Sequence, residues 1–538
     1  MSLEMLLAQF DGLIQTPADV AKLNGAILQW AIQGHLVPQK PIDESVTQLL
    51  ADAERERQRL VKEQIIRKRK PIQSLKDIDP PFDIPKGWVF CRLGQCLELI
   101  NGRAYSQNEL LDAGTPVIRI QNLNGGESWY YSDLELSEDK YCDNGDLLFA
   151  WSGTFGPYIW NGERAIYHYH IWKIMLTPAI DKRFAYYLLQ FLVEQAKSQS
   201  HGLMLLHITK SNMENLPVVI PPLAEQKRIV ARVDALLGQT AVLAQQLSAI
   251  EEERRGVNTA VLHQLTQAAD SAQTAVAFSL LQRNFDRLYV DGALIDELKQ
   301  AILQTAVQGR LVPQDPNDEP ASVLLERIKE EKKQLGVKNN NLPKVGKQPY
   351  SVPSCWKWVR FIDIANIASN LTQPHLYPFF PHIAPNNIEK GTGKLLEYKT
   401  VLEDDVKSAK NHFFPGQIIY SKIRPNLSKA VIVDFEGLCS ADMYPLDSFI
   451  NTHYLLLYIL SESFLSFATK TDTRVAMPKI NQAALSKIPI AVPPIEEQKR
   501  IVAKVDELFA LCDQLAGQVL AAEASREQLL DALLAQAG

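Results

Sequence analysis

The seventeen residues from Pro221 to Leu237, PPLAEQKRIVARVDALL, return 272 positions later as PPIEEQKRIVAKVDELF, from Pro493 to Phe509, with 12 of 17 positions identical. That separation is half of the 538-residue chain, so the chain is an internal duplication and its two halves must share a frame. Each copy opens on a Pro pair, which ends an extended segment and suits a helix start but not a helix interior. From Ile229 apolar residues recur in steps of four and three: Ile229, Val233, Leu236, Thr240, Leu243, Leu247, Ile250, then Arg254, Val257 and Val261. The second copy follows with Ile501, Val505, Leu508, Cys512, Leu515, Val519, Ala522, Arg526, Leu529 and Leu533. This is a heptad seam held for more than four heptads. A lone helix of about 40 residues, roughly 60 Å long, would leave that stripe in water. Each helix must therefore pack, and the simplest partner is the other copy.

The duplication is wider than this helix. Lys22 to Gln39 reads KLNGAILQWAIQGHLVPQ and Leu298 to Gln314 reads LKQAILQTAVQGRLVPQ, each a helical pattern closed by Gly with Pro beyond. A highly charged helical stretch follows in both halves, Val46 to Lys70 and Ala321 to Gln334. Such charge is read as a solvated face, in preference to a phosphate role for Arg67 to Lys70. Polar, Pro-containing connectors then lead to Trp88 and Trp356, and from each Trp to the next Pro pair run short β-type segments rich in Gly, Asn and aromatics. The expected division is an N-terminal helical region and linker (1–87), a first globular domain (88–220), a central region of long helix, second helix and linker (221–355), a second globular domain (356–492) and a C-terminal long helix (493–538). The helices stay nearly constant between halves while the globular inserts diverge, as in a frame built to present two different surfaces.

Composition narrows the class. With 46% hydrophobic and 22% charged residues the chain reads as globular. No run of about 18 apolar residues occurs, and the N-terminal MSLEMLLAQFDGL carries acids where a signal peptide carries bases, so a cytoplasmic protein is expected. Six scattered cysteines without zinc spacing are read as reduced core residues. A net charge of -6 leaves room for a local basic groove but not for a basic surface overall.

Enzymatic motifs are thin. Asp79-Pro80-Pro81-Phe82 has the form with which amino-methyltransferases hold a target base, but no Gly-rich loop for a methyl donor precedes it. Glu225-x-Lys227 and Glu497-x-Lys499 imitate the end of a nuclease site, yet fall in the first turn of a helix, where a carboxylate is favourable anyway. No Walker-type loop exists, Gly391-Thr392-Gly393 reads as a turn, and His168 and His170 lack ligand spacing. The chain is therefore expected to be non-catalytic by itself, with no catalytic or metal residues.

Binding signals are stronger. Lys422, Arg424, Asn426 and Lys429 follow a strand in SKIRPNLSK, and Arg474 and Lys479 come from TRVAMPKIN, giving two polar-basic loops. In the first domain Arg103, Tyr105, Arg119, Gln121, Asn122 and Asn124 supply the groups that read base edges, Arg for guanine and Asn or Gln for adenine. On a strand, Arg119 and Gln121 would share one face. From Trp356 to Val492 there are 14 Lys/Arg against 12 Asp/Glu; from Trp88 to Ile220 there are 10 against 14. Seven of those acids lie between Glu127 and Asp146 and must point away from any phosphate backbone.

The twin PP-[LI]-x-EQKRIVA-[RK]-VD helices, the twin AILQ…QG-[HR]-LVPQ helices, the entrances at Trp88 and Trp356, and the SKIRPNLSK…GLCSADMYP…MPKIN series from Ser421 to Asn481 resemble the specificity subunits of type I restriction-modification enzymes. The resemblance implies an α+β chain: two globular target-recognition domains of mixed α/β fold, separated by long helices that form an antiparallel coiled coil with internal pseudo-twofold symmetry. It also implies partners, namely double-stranded DNA, two copies of a methyltransferase subunit and restriction/translocase subunits. S-adenosylmethionine, ATP and Mg would belong to those subunits and none to this chain. The first domain has AWSGTFG where the second has SKIRPNLSK, so unlike half-sites are expected. Two other readings stay open: a coiled-coil assembly scaffold without DNA readout, and a self-sufficient methyltransferase using Asp79 to Phe82.

Overall fold

The computed structural model describes residues 12–66, 68–198, 209–268, 271–290, 292–337, 345, 348–470 and 478–536. They form two compact units, Met1–Ile250 with Ser525–Gly538, and Glu251–Ala524. The long helices are Leu223–Gln267 (45 residues) and Ile495–Gln536 (42 residues). Each begins in one unit and contributes its last turns to the other.

In the first unit the helix Pro17–Gln33 starts at a capping box, Thr16 accepting from the Asp19 N–H while Asp19 accepts from the Thr16 N–H. It ends on Gly34 in the left-handed conformation. Asn24 meets Thr240 at 2.6 Å, Lys22 meets Asp531 at 3.2 Å, and Arg526 pairs with Asp19, so this helix receives the start of one long helix and the end of the other. The second unit repeats the arrangement around the helix Gly292–Val307. There Lys299 meets Asp513 at 2.5 Å, and Asn258 donates to Glu297 at 2.7 Å.

The seam drawn from the sequence drifts along these helices. Ile229, Val233 and Leu236 are buried, as are Ile501 and Val505, but Ile250 is 51% exposed, Val257 40% and Leu529 51%, whereas the next residues, Asn258 and Leu530, are fully buried. A heptad falls short of two turns by about 20°, so four heptads lag by about 80°, nearly one residue. Toward the far end the neighbouring position joins the core beside the seam, Leu262 being buried next to the seam residue Val261.

The repeated motifs hold each frame together. Glu225 and Glu497, in the first turn of their helices, are buried and accept from Gln39 and Gln314, each at 3.1 Å. Glu497 also accepts from Trp356 Nε1 at 2.9 Å. Gln226 and Gln498 each donate to the carbonyl of the first Pro of the pair at 2.9 Å. Arg228 and Arg500 grip Asp43 and Asp318, Nη1 and Nη2 each donating to one carboxylate oxygen. The glycines of the two QG turns lie at φ +83° and +74°, and a Cβ there would come within 2.6 Å of Pro85 or 2.7 Å of Pro353. This close approach links the helix C-terminus to the Pro-to-Trp connector, and it explains why Gly, Pro and Trp repeat together.

The charged helices are Val46–Lys62 and Ala321–Gln334. The first stops eight residues short of the expected Lys70, at a chain reversal where Gln64 has φ 61°. Arg67 lies outside the described residues; Arg69 is bound to Gly94 O and Glu54, which leaves it no phosphate role. A further helix, Ser271–Leu288, stands in the central region between the long helix and Gly292–Val307, where the sequence predicts only one helix after the long one.

Each globular domain is closed by an antiparallel pair joining its ends: β1 (Val89–Arg92) to β10 (Pro217–Ile220), and β11 (Lys357–Arg360) to β21 (Pro489–Val492). Between them lie β2 (Leu97–Asn101), β3 (Thr115–Ile118), β4 (Tyr130–Ser132), β5 (Tyr141–Cys142), β6 (Leu147–Ala150), β7 (Gly156–Ile159), β8 (Ala165–Tyr167) and β9 (Ile171–Leu176). The second domain has β12 (Ala365–Ile367), β13 (Leu371–Thr372), β14 (Pro381–Ile383), β15 (Lys399–Thr400), β16 (Lys410–Phe413), β17 (Ile418–Ser421), β18 (Ala430–Ile432), β19 (Gly437–Cys439) and β20 (Met443–Ser448). The main sheets run β2-β9-β6-β7 and β12-β20-β17-β18, and each domain has one parallel pair, β3 with β8 and β14 with β19. Two inserts with little sequence in common therefore share the strand order of their main sheet, while the second sheet has four strands in the first domain and five in the second. The fold is α+β, two repeated mixed domains separated by a long helix. The six cysteines are free, five of them buried.

Candidate nucleic-acid interface

The shared topology aligns the two domains residue by residue. Ala150 opposes Ile171 across β6 and β9, and Ser421 opposes Met443 across β17 and β20. Trp151 thus stands where Lys422 stands, and His168-Tyr169-His170 where Ser440-Ala441-Asp442 stand. Matching backbone bonds confirm the register: Trp151 N to His170 O at 3.1 Å, Lys422 N to Asp442 O at 3.0 Å, and in both turns a 2.9 Å bond from the first strand residue back three positions.

In the second domain this edge is cationic. Lys422 donates to Ala441 O at 2.6 Å, lies 3.6 Å from Asp442 and sits 5.3 Å above the Tyr444 ring. Lys479 reaches the same Asp442 oxygen at 3.1 Å. The two basic loops that the sequence leaves separate run side by side: Ile423 bridges Lys479, Arg424 N donates to Pro478 O at 2.8 Å, and Ile480 N donates to Lys422 O at 2.9 Å. Arg424 is exposed and held in the left-handed region at φ 46°. Asn426, also exposed, lies on the short turn Pro425–Leu427 and lines a cleft of about 890 Å³ with Lys390 and Lys394. Lys429 donates to Pro385 O at 2.6 Å. Arg474 lies outside the described residues.

The first domain departs from the sequence reading. Arg119 and Gln121 do not share a strand face, because β3 stops at Ile118 and a helical turn, Ile120–Leu123, follows. The cause is Asn122, whose Oδ1 accepts from Arg119 N at 3.0 Å and whose Nδ2 donates to Ser128 O at 2.8 Å, closing the loop on itself. Only 8% exposed, Asn122 is not placed to read bases. Asn387 plays the same part, accepting from Ala384 N at 2.9 Å. Asn122→Ala should cost about 1–2 kcal/mol in urea unfolding, the value of a lost side-chain cap. Arg119 donates to Ser128 O at 2.9 Å and lies 4.1 Å over the Tyr130 ring; Gln121 reaches the same carbonyl at 3.3 Å. Asn124 links Thr154 at 3.0 Å to Tyr158 at 2.8 Å. Arg103 is paired with Glu109 at 2.5 Å and lies 5.2 Å from the Tyr105 ring; burial pushes the Tyr105 phenol well above its usual range.

The residues that sequence reasoning passed over are Trp151, His168, Tyr169 and His170. Trp151 stacks on Trp172 at 5.6 Å and donates to Tyr169 O at 2.9 Å. Burial lowers both imidazoles, His168 to about 4, helped by His170 and Arg119, so both are neutral near pH 7. The signal was available: GDLLFAW against GQIIYSK aligns Trp151 with Lys422. Of the acidic cluster, Glu138 and Asp143 are held by Arg164, and Asp146 by Lys173.

Asp79 is exposed on an irregular segment, and Phe82 packs against the hydrophobic core. Glu225 and Glu497 are committed to the frame. Among the described residues no group of three His, Cys, Asp or Glu is arranged to hold a metal ion, and no helix is long and apolar enough to cross a membrane.

The family profile of the type I restriction modification DNA specificity domain matches residues 85–252 and again 353–522, well over half of the chain. The chain belongs to this family. As a specificity-domain protein it is 33% identical over 458 residues to the type I restriction enzyme EcoDI specificity subunit of Escherichia coli, covering 84% of this chain and 88% of that one. It is 28% identical over 569 residues to the EcoEI specificity subunit of the same organism, covering 96% and 93%. A chain from a solved type I R-M system aligns over 85% of this specificity-domain protein and 99% of its own length, at 17% identity and a TM-score of 0.48.

Proposed function

We propose that this chain is the non-catalytic DNA-recognition subunit of a type I restriction-modification complex, each globular domain reading one half of a bipartite, asymmetric site. The helices dock two methyltransferase subunits, restriction/translocase subunits join for cleavage, and S-adenosylmethionine, ATP and Mg enter with those partners. One observation carries the reading: two domains whose main sheets have the same strand order place different side chains at the same edge, cationic in one and aromatic in the other. A frame of shared helices with dissimilar heads suits two unlike half-sites. Helices of 45 and 42 residues, ~68 and ~63 Å long, are long enough to set a gap on the scale of one DNA turn, ~34 Å.

Mapping methylated bases in the DNA of a host carrying the system tests this. Two unlike half-sites at one constant gap are expected; a palindromic or contiguous site overturns the proposal. Arg424 offers a second check. Glycine relaxes a left-handed backbone by about 1 kcal/mol, so Arg424→Gly should leave stability unchanged or raised. DNA binding by the complex should weaken with every sequence, and the slope of log K against log salt should fall by about one.

A further inference from the structure

We infer that the first domain reads its DNA half-site through the turn His168-Tyr169-His170 with Trp151 beside it, using ring faces and imidazole nitrogens in place of the charged groups of the second domain. The inference rests on the DNA-recognition reading above and names the residues that carry it. Four observations converge on this turn. Its backbone bonds are the same as those of Ser440 to Met443, so side chains here vary without cost to the fold. The rings are packed on one another but not covered: Tyr169 and His170 lie 3.9 Å apart between centroids, His168 and Tyr169 4.4 Å, and Tyr169 is 39% exposed. Exposed aromatic faces and uncharged nitrogens suit base edges and base faces better than phosphates.

The third observation is polar. Arg103 Nη1, Tyr105 Oη and Arg119 Nε are buried donors with no partner among the described residues. Two of these residues adjoin the turn through the backbone: Arg103 bridges His168, and His168 N donates to Ile118 O, the carbonyl preceding Arg119. Finally, the turn is held rigidly, since Trp151 donates to Tyr169 O and stacks on Trp172. A site that presents rings at a fixed height loses little side-chain freedom on binding.

The test uses the full chain in its modification complex. Tyr169→Ala and His170→Ala should each relax discrimination at the first half-site by roughly 10- to 100-fold, the range for one lost base contact or stack. Preference at the second half-site and the salt slope should stay as in the unaltered protein, whereas Lys422→Ala should show the reverse pattern. Unchanged preference at the first half-site, or equal weakening on every sequence, overturns the inference. Photo-crosslinking of the unaltered complex to bromodeoxyuridine-substituted DNA is independent of variant folding. Crosslinks from the first half-site should fall on residues 151 and 168–170; crosslinks from that half-site confined to other parts of the domain refute the inference. A complex with no sequence preference at all would instead sink the DNA-recognition reading itself.

Discussion

Replacing residues 88–220 with the corresponding segment of a relative of different specificity changes one half of the methylated site and leaves the other half and the gap intact. The expectation follows from where each domain closes. β1 pairs with β10 in the register Val89 to Ile220 and Arg92 to Pro217, so the graft enters and leaves at adjacent points of one hairpin-like clasp. Nothing in the helical frame has to move, because Glu225, Gln226 and Arg228 remain outside the graft. Each altered base pair is worth about 1–3 kcal/mol, roughly 5- to 150-fold, so a new half-site replaces the old one almost completely. Sequencing of methylated genomic DNA reads the result. A change in both halves, or in neither, would refute the two-reader arrangement.

Glu497→Ala has the largest expected effect on stability. The buried carboxylate accepts from Trp356 Nε1 and Gln314 Nε2, and truncation leaves the indole donor without a partner inside the core. The cost is about 2–4 kcal/mol, measurable as a lower midpoint of urea unfolding. Burial raises the Glu497 pKa, opposed by Gln314, Trp356 and Arg500. With the folded-state pKa above the unfolded value, folding favours the protonated form. The stability this shift contributes is fully present below the unfolded pKa and is lost as pH rises through the folded pKa. Glu497→Gln is uncharged throughout, so the stability of the unaltered protein relative to this variant should increase on acidification and reach its lowest at neutral pH. A pH-independent difference would mean that burial does not control this carboxylate.

Much of the frame was legible because the chain states it twice. The Gly-Pro-Trp and EQKR series could be read as structural once both copies were set side by side, since a residue repeated at the same place in two halves with different inserts has to serve what the halves share. The division of labour at the matching sheet edges was less legible. Asn122 looked like a base reader because its amide suits adenine, yet the same amide closes a loop, and only the chain path reveals which use it has. Lys422 and Lys479 are 57 positions apart in sequence yet share one carboxylate. The histidines lack metal spacing, and only the strand register places His170 opposite Trp151.

The sequence by itself determined the duplication, the long helices and the two diverged domains, because periodicity and repetition are properties of order along the chain. Tertiary structure alone decided which face of each long helix turns inward after four heptads, that the main sheets of both inserts share one strand order, and which side chains stand at equivalent edges. Those depend on helix phase and strand pairing between distant segments, and no local pattern in the chain encodes them.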